Sequence, residues 1–101
     1  MLNWDDVLST KPDVVTRATD DELVVVLPEQ GKFIVLNATG AHVLTLSDGT
    51  RTLCEIAVAV AETFSADQER VKGDVLRFAT MLLERGVLFV AQHGVNQAQV
   101  V

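Results

Sequence analysis

The sequence predicts one small α+β domain in which a three-stranded antiparallel sheet packs on a three-helix bundle. Three observations predict it. Short β-branched runs separated by turn residues fill the first third of the chain. Near residue 37 the hydrophobic pattern changes to a helical period. The chain has 101 residues, of which 49% are hydrophobic and 22% charged. That is enough apolar material for one packed core without staples, and it argues against disorder.

Taken in order, residues 1–12 read as a polar N-terminal arm closed by Lys11-Pro12, where proline turns the backbone away from helix. Trp4, Val7 and Leu8 have i, i+3, i+4 spacing, so a short docking helix is the alternative to a loose arm. The domain proper is expected over residues 13–91, with a C-terminal tail over 92–101. Val14 to Ala18 is the first strand signal, and Asp20-Asp21-Glu22 the turn after it. Leu23 to Leu27 is a continuous apolar second strand. Pro28-Glu29-Gln30-Gly31 has turn chemistry, and Phe33 to Leu36 is the third strand. Connections this short favour an antiparallel meander.

Asn37 is placed to cap a helix running to about Leu46, ended by Asp48-Gly49. Thr52 and Glu55 have capping-box spacing and open a second helix, with Leu53, Ile56, Ala57, Val60 and Phe64 on one face. Ser65-Ala66-Asp67-Gln68 reads as a second capping box. It opens a third helix with an apolar face of Val71, Val75, Phe78, Ala79, Leu82 and Leu83, closed by Arg85-Gly86. Val87 to Val90 is a candidate further strand. The order βββααα with tight turns between helices is winged-helix-like.

Composition narrows function. Fourteen acidic against eight basic residues give a formal charge of −6, unsuited to nucleic acid or an anionic membrane. The third helix carries Arg70, Lys72, Arg77 and Arg85 against Asp67, Glu69, Asp74 and Glu84, so it offers no positive field as a recognition helix. A DNA-binding regulator is therefore the alternative rather than the main reading. No apolar run is long enough to span a bilayer, and the acidic N-terminus is unlike a signal peptide. A soluble cytoplasmic protein is expected. The one cysteine, Cys54, and two distant histidines, His42 and His93, form neither a nucleophilic pair nor a ligand set. Neither enzyme activity, nor a metal, nor an organic cofactor is expected.

A binding module remains. A meander has two edges, and an exposed edge is a template for another extended chain. The third strand has no charge after Lys32 and no proline. It is suited to β-augmentation by a peptide. Pairing with a second copy of itself, as a homodimer, is the structural alternative.

Three segments also resemble a known family: Pro28 to Leu44, with Leu36-Asn-Ala-Thr-Gly40; Leu46 to Ile56, with Asp48-Gly-Thr-Arg-Thr52 and Glu55-Ile56; and Asp74-Val-Leu-Arg-Phe78 with Leu83-Glu-Arg-Gly-Val-Leu88. Together, from about Pro12 to Val90, they are similar to the PqqD family, named for a small protein of pyrroloquinoline-quinone biosynthesis. The resemblance implies a non-catalytic recognition domain for ribosomally made, post-translationally modified peptides. Such domains take the leader segment of a precursor peptide as a strand added to the third strand, in a groove walled by the third helix. They deliver it to a modifying enzyme such as a radical S-adenosylmethionine protein, or to a leader peptidase in lasso-peptide pathways. Val35 stands where the pyrroloquinoline-quinone proteins tend to have lysine, and Gly40 where their helix commonly lacks glycine. The chain is thus more similar to the broader family, with no pathway assigned.

The groove is accordingly expected along Lys32, Phe33, Ile34, Val35 and Leu36, with Asp74, Arg77, Phe78 and Met81 on the third helix. Phe78 and Met81 would supply an apolar pocket, and Asp74 and Arg77 would pair with leader charges. Strand alternation leaves open whether Phe33/Val35 or Ile34/Leu36 meets the peptide less directly. Asn37, Thr39 and Gly40 are read as residues that shape the turn from strand to helix.

Overall fold

The computed structural model describes residues 2–94. Its elements are β1 (Val7–Thr10), β2 (Val15–Ala18), β3 (Leu23–Leu27), β4 (Lys32–Leu36), α1 (Ala38–Leu46), β5 (Asp48–Thr52), α2 (Leu53–Phe64), α3 (Gln68–Glu84) and β6 (Leu88–Gln92). The expected meander is present as an antiparallel sheet of order β2-β3-β4. At its second turn Gln30 N–H donates to the Leu27 carbonyl, and Gly31 takes φ +64°, a conformation that glycine adopts without strain. One face of this sheet turns Val25, Leu27 and Leu36 into the core, while Val15, Phe33 and Val35 on the other face are exposed.

A second antiparallel sheet, of order β5-β1-β6, corrects the expectation of a loose arm or docking helix over residues 1–12. β1 is its central strand, and Leu8 is fully buried. The segment before it is also held, since Cys54 N–H donates to the Trp4 carbonyl and Leu53 N–H to the Asp6 carbonyl. The stretch 48–52 was expected only as a helix stop and a cap, yet it forms β5. Its Asp48 carboxylate accepts from Thr50 N–H and pairs with Arg51. The bonds from Thr50, more than the charge of Arg51, hold that carboxyl below its ordinary range. The tail expected over 92–101 begins inside β6, and residues 95–101 lie outside the described residues.

The helices start largely where capping chemistry puts them. Asn37 Oδ1 accepts from Gly40 N–H at 2.9 Å, and Thr52 with Glu55 forms a reciprocal capping box. α3 departs from expectation. Its cap is Asp67, while Ser65 closes α2 in the left-handed region at φ +51°. The Ser65 hydroxyl therefore caps nothing at the start of α3. Thr52→Ala is expected to destabilise the fold by about 1 kcal/mol. Ser65→Gly is expected to raise the melting temperature, because glycine tolerates that backbone. Thermal denaturation of both variants checks the assignment, and a Ser65→Gly protein less stable than the parent contradicts it.

The core joins both sheets to the helices through Leu8, Val25, Leu53, Ile56, Val75 and Leu82. Phe64 was expected on the buried face of α2 but is 42% exposed, edge-on to His42 with ring centroids 5.9 Å apart. It is the last residue of α2 and lies beyond the helix's buried stretch, which ends at Ala61.

Candidate functional site

β4 hydrogen-bonds to β3 on one side only, so its other edge is free among the described residues. Pleating gives its five residues two roles. Leu36 is buried and Ile34 half-buried on the inner face, with Lys32 in the same alternation but exposed. Phe33 (68% exposed) and Val35 (46%) point outward. The pleat thus turns Ile34 and Leu36 toward the core and Phe33 and Val35 away from it. Leu36, expected in the groove, belongs to the core.

α3 presents a second row. Val71, Val75, Ala79 and Leu82 are its buried face. Asp74, Arg77, Phe78 and Met81 recur at intervals of three and four beside that face, so they lie together along one side of the helix. Arg77, Phe78 and Met81 line an open hollow of about 240 Å³. Phe78 and Met81 are half-buried against the core, whereas Arg77 is exposed and pairs with Asp74 one turn earlier. The hollow therefore has an apolar side, Phe78 and Met81, and a charged side, where Arg77 reaches back to Asp74.

Two contacts fix how α3 runs relative to β4. At the end of β4, a Cβ built on Gly40 of α1 would lie 2.7 Å from Phe78 Cε1 and 3.3 Å from Leu36 Cβ. At its start, Gln30 Nε2 in the β3–β4 turn donates to the Arg85 carbonyl at 3.4 Å, just past α3. β4 and the second half of α3 are thus antiparallel, pinned near Phe78 at one end and near Arg85 at the other. Gly40 N–H closes the Asn37 cap at the strand-to-helix turn, with a φ outside the left-handed region. Gly40 also serves a close approach of α1 to the Phe78 ring. Neither Gly40 nor Gln30 belongs to the groove expected from the sequence. The only signal in the sequence was a helix-disfavouring glycine four residues after the strand.

Among the described residues no group of three or more His, Cys, Asp or Glu side chains is placed to hold a metal ion. The Cys54 thiol is half-buried, and His42 Nε2 lies 3.2 Å from the Thr63 hydroxyl. No described helix is long and apolar enough to cross a membrane.

The family model described as coenzyme PQQ synthesis protein D (PqqD) matches residues 22–88. A PqqA binding protein of Gluconobacter oxydans (strain 621H) is 38% identical over 68 residues, 67% of this chain and 69% of that one. Among solved structures, TbiB1 in complex with the TbiA(β) leader peptide superposes with a TM-score of 0.70 at 26% identity, over 79% of this chain and 93% of that one. The PqqD truncation of Methylobacterium extorquens PqqCD, a stand-alone recognition element for ribosomally synthesized and post-translationally modified peptides, gives a TM-score of 0.73 at 26% identity, over 88% of this chain and 95% of that one. With a family model matched from the second strand of the meander to the start of the last strand, the chain belongs to the PqqD family.

Proposed function

We propose that this chain is a non-catalytic recognition module that binds the leader segment of a ribosomally made precursor peptide and presents it to a modifying enzyme. The free edge of β4 beside the α3 hollow carries the reading. A strand added there would pair its amides and carbonyls with those of Lys32 to Leu36, which secures affinity with little regard to sequence. Alternate leader side chains would then face the Phe78–Met81 hollow, and the others would stand outward beside Phe33 and Val35. Selectivity would come from the inward set. Asp74 and Arg77 at the rim would exchange partners with leader charges and set the register.

The relatives support the same reading, since one is a PqqA binding protein and another was solved with a leader peptide bound. The receiving enzyme is a radical S-adenosylmethionine protein or a leader peptidase, and the site of action is the cytoplasm. The test is an NMR titration of the ¹⁵N-labelled chain with leader peptides of precursor peptides, PqqA and the TbiA(β) leader among them. Shifts concentrated on residues 32–36 and 74–81 support the proposal. Shifts concentrated on β2, or none with any such leader, refute it.

A further inference from the structure

We infer that Gly40 is a positioning residue that sets which leader side chain the groove accepts, by holding the Phe78 ring back from the α3 hollow. The inference rests on the leader-binding reading above and assigns the determinant of its selectivity.

Gly40 is buried in the first turn of α1, where alanine would be the better helix former and backbone freedom is not needed. What glycine provides is space. A methyl group there would stand 2.7 and 3.0 Å from two ring carbons of Phe78, closer than carbon atoms pack, and 3.3 Å from Leu36 Cβ. Leu36 is 1% exposed and Val75 and Ala79 beside Phe78 are fully buried, so the core has no room to take up the displacement. Phe78 also lines the open hollow it shares with Arg77 and Met81, and that is where space is available to the ring. The ring that forms one wall of this hollow is thus seated on the bare backbone of residue 40.

Size gives the ligand class. The hollow measures about 240 Å³, and an apolar cavity of roughly 150 Å³ already accepts benzene. It therefore takes one large apolar side chain of the leader, aliphatic or aromatic, as an anchor. A ring pushed outward by a methyl at residue 40 would leave room only for a small one.

The test uses the full chain, its Gly40→Ala and Phe78→Leu variants and the double variant. The probes are the leader peptide that the parent binds most tightly in the NMR titration and the same leader with its anchor replaced by alanine. The anchor is the leader residue whose truncation weakens parent binding most. The parent is expected to prefer the native leader by at least about tenfold, as expected when several methylenes leave an apolar pocket. In Gly40→Ala that preference is expected to fall below about threefold, and adding Phe78→Leu to restore most of it, as coupled neighbours do. A Gly40→Ala protein that keeps the parent preference overturns the inference. So does a loss that Phe78→Leu does not repair.

The Met81 methyl resonance reads the ring position without any leader. It is expected to move in Gly40→Ala while methyls remote from the ring, such as those of Leu8, stay in place. An unmoved Met81 methyl refutes the displacement. A parent that binds no leader refutes only the proposed function. Should Gly40→Ala fail to fold, the double variant is expected to fold, and its failure also overturns the inference.

Discussion

Leu8→Ala is expected to destabilise the domain by about 3 kcal/mol, within the range for a fully buried leucine whose cavity cannot collapse. Leu8 is fully buried on the central strand of the β5-β1-β6 sheet, opposite Val90, so its loss opens a void between both flanking strands and the helices. For a domain of this size, each kcal/mol lowers the melting temperature by about 4–8 °C, so a fall of more than 10 °C is expected. Deleting residues 1–10 removes the strand itself. It would leave the edges of β5 and β6 without partners and the Trp4 and Asp6 carbonyls unavailable to α2. That protein is expected not to fold. Thermal and urea denaturation followed by circular dichroism checks both variants. A deletion that melts like the parent would make residues 1–10 a dispensable arm after all.

The same strand carries too little local pattern to be told from a helix. β2, β3 and β4 lie close along the chain, their turn residues sit between them, and local patterning was sufficient to find them. β1 is four residues long, and the spacing of Trp4, Val7 and Leu8 fits a helix as well as a strand. Its partners are β5, some forty residues on, and β6, at the far end of the described chain. Pairing so distant leaves no trace in a local window. β5 was hidden for a different reason. Asp48-Gly49-Thr50 is turn chemistry, and the segment becomes a strand only because β1 lies beside it.

Capping shows a similar division. Thr52 and Glu55 are a capping box because spacing and chemistry coincide. Ser65 has the same spacing to Gln68, but Asp67 lies nearer the first free amides of α3, and its carboxylate accepts from Glu69 N–H. For the candidate site, the strand and the helix were both legible from the sequence. The pleat was not, because Phe33-Ile34-Val35-Leu36 is apolar on both faces, and only packing shows that Ile34 and Leu36 turn inward. The contacts of Gly40 and Gln30 with α3 were equally invisible, since each joins residues far apart in the chain.

The helix wall provides the second large effect. Met81→Asp is expected to weaken leader binding at least about tenfold, equivalent to roughly 1.4 kcal/mol. Met81 lines the hollow together with Arg77 and Phe78. A leader side chain entering there would strip water from the new carboxylate, and an unpaired buried charge is strongly unfavourable. In the free protein the hollow is open, so water solvates that carboxylate. Folding is therefore expected to survive, with the cost concentrated in the complex. Arg77→Glu is the companion variant. The Arg77 side chain is 79% exposed, and exposed substitutions usually alter stability by less than about 0.5 kcal/mol. It breaks the pair with Asp74 and leaves two acids at the rim, so it is expected to weaken an acidic leader strongly and a basic one little. Isothermal titration of both variants, with melting curves as the control for folding, separates the groove from the fold. Folded variants that bind every leader as tightly as the parent would take the site off α3. The next candidate would then be the opposite edge of the sheet, along Val15 to Ala18 of β2, where Arg17 is the only charge on the strand.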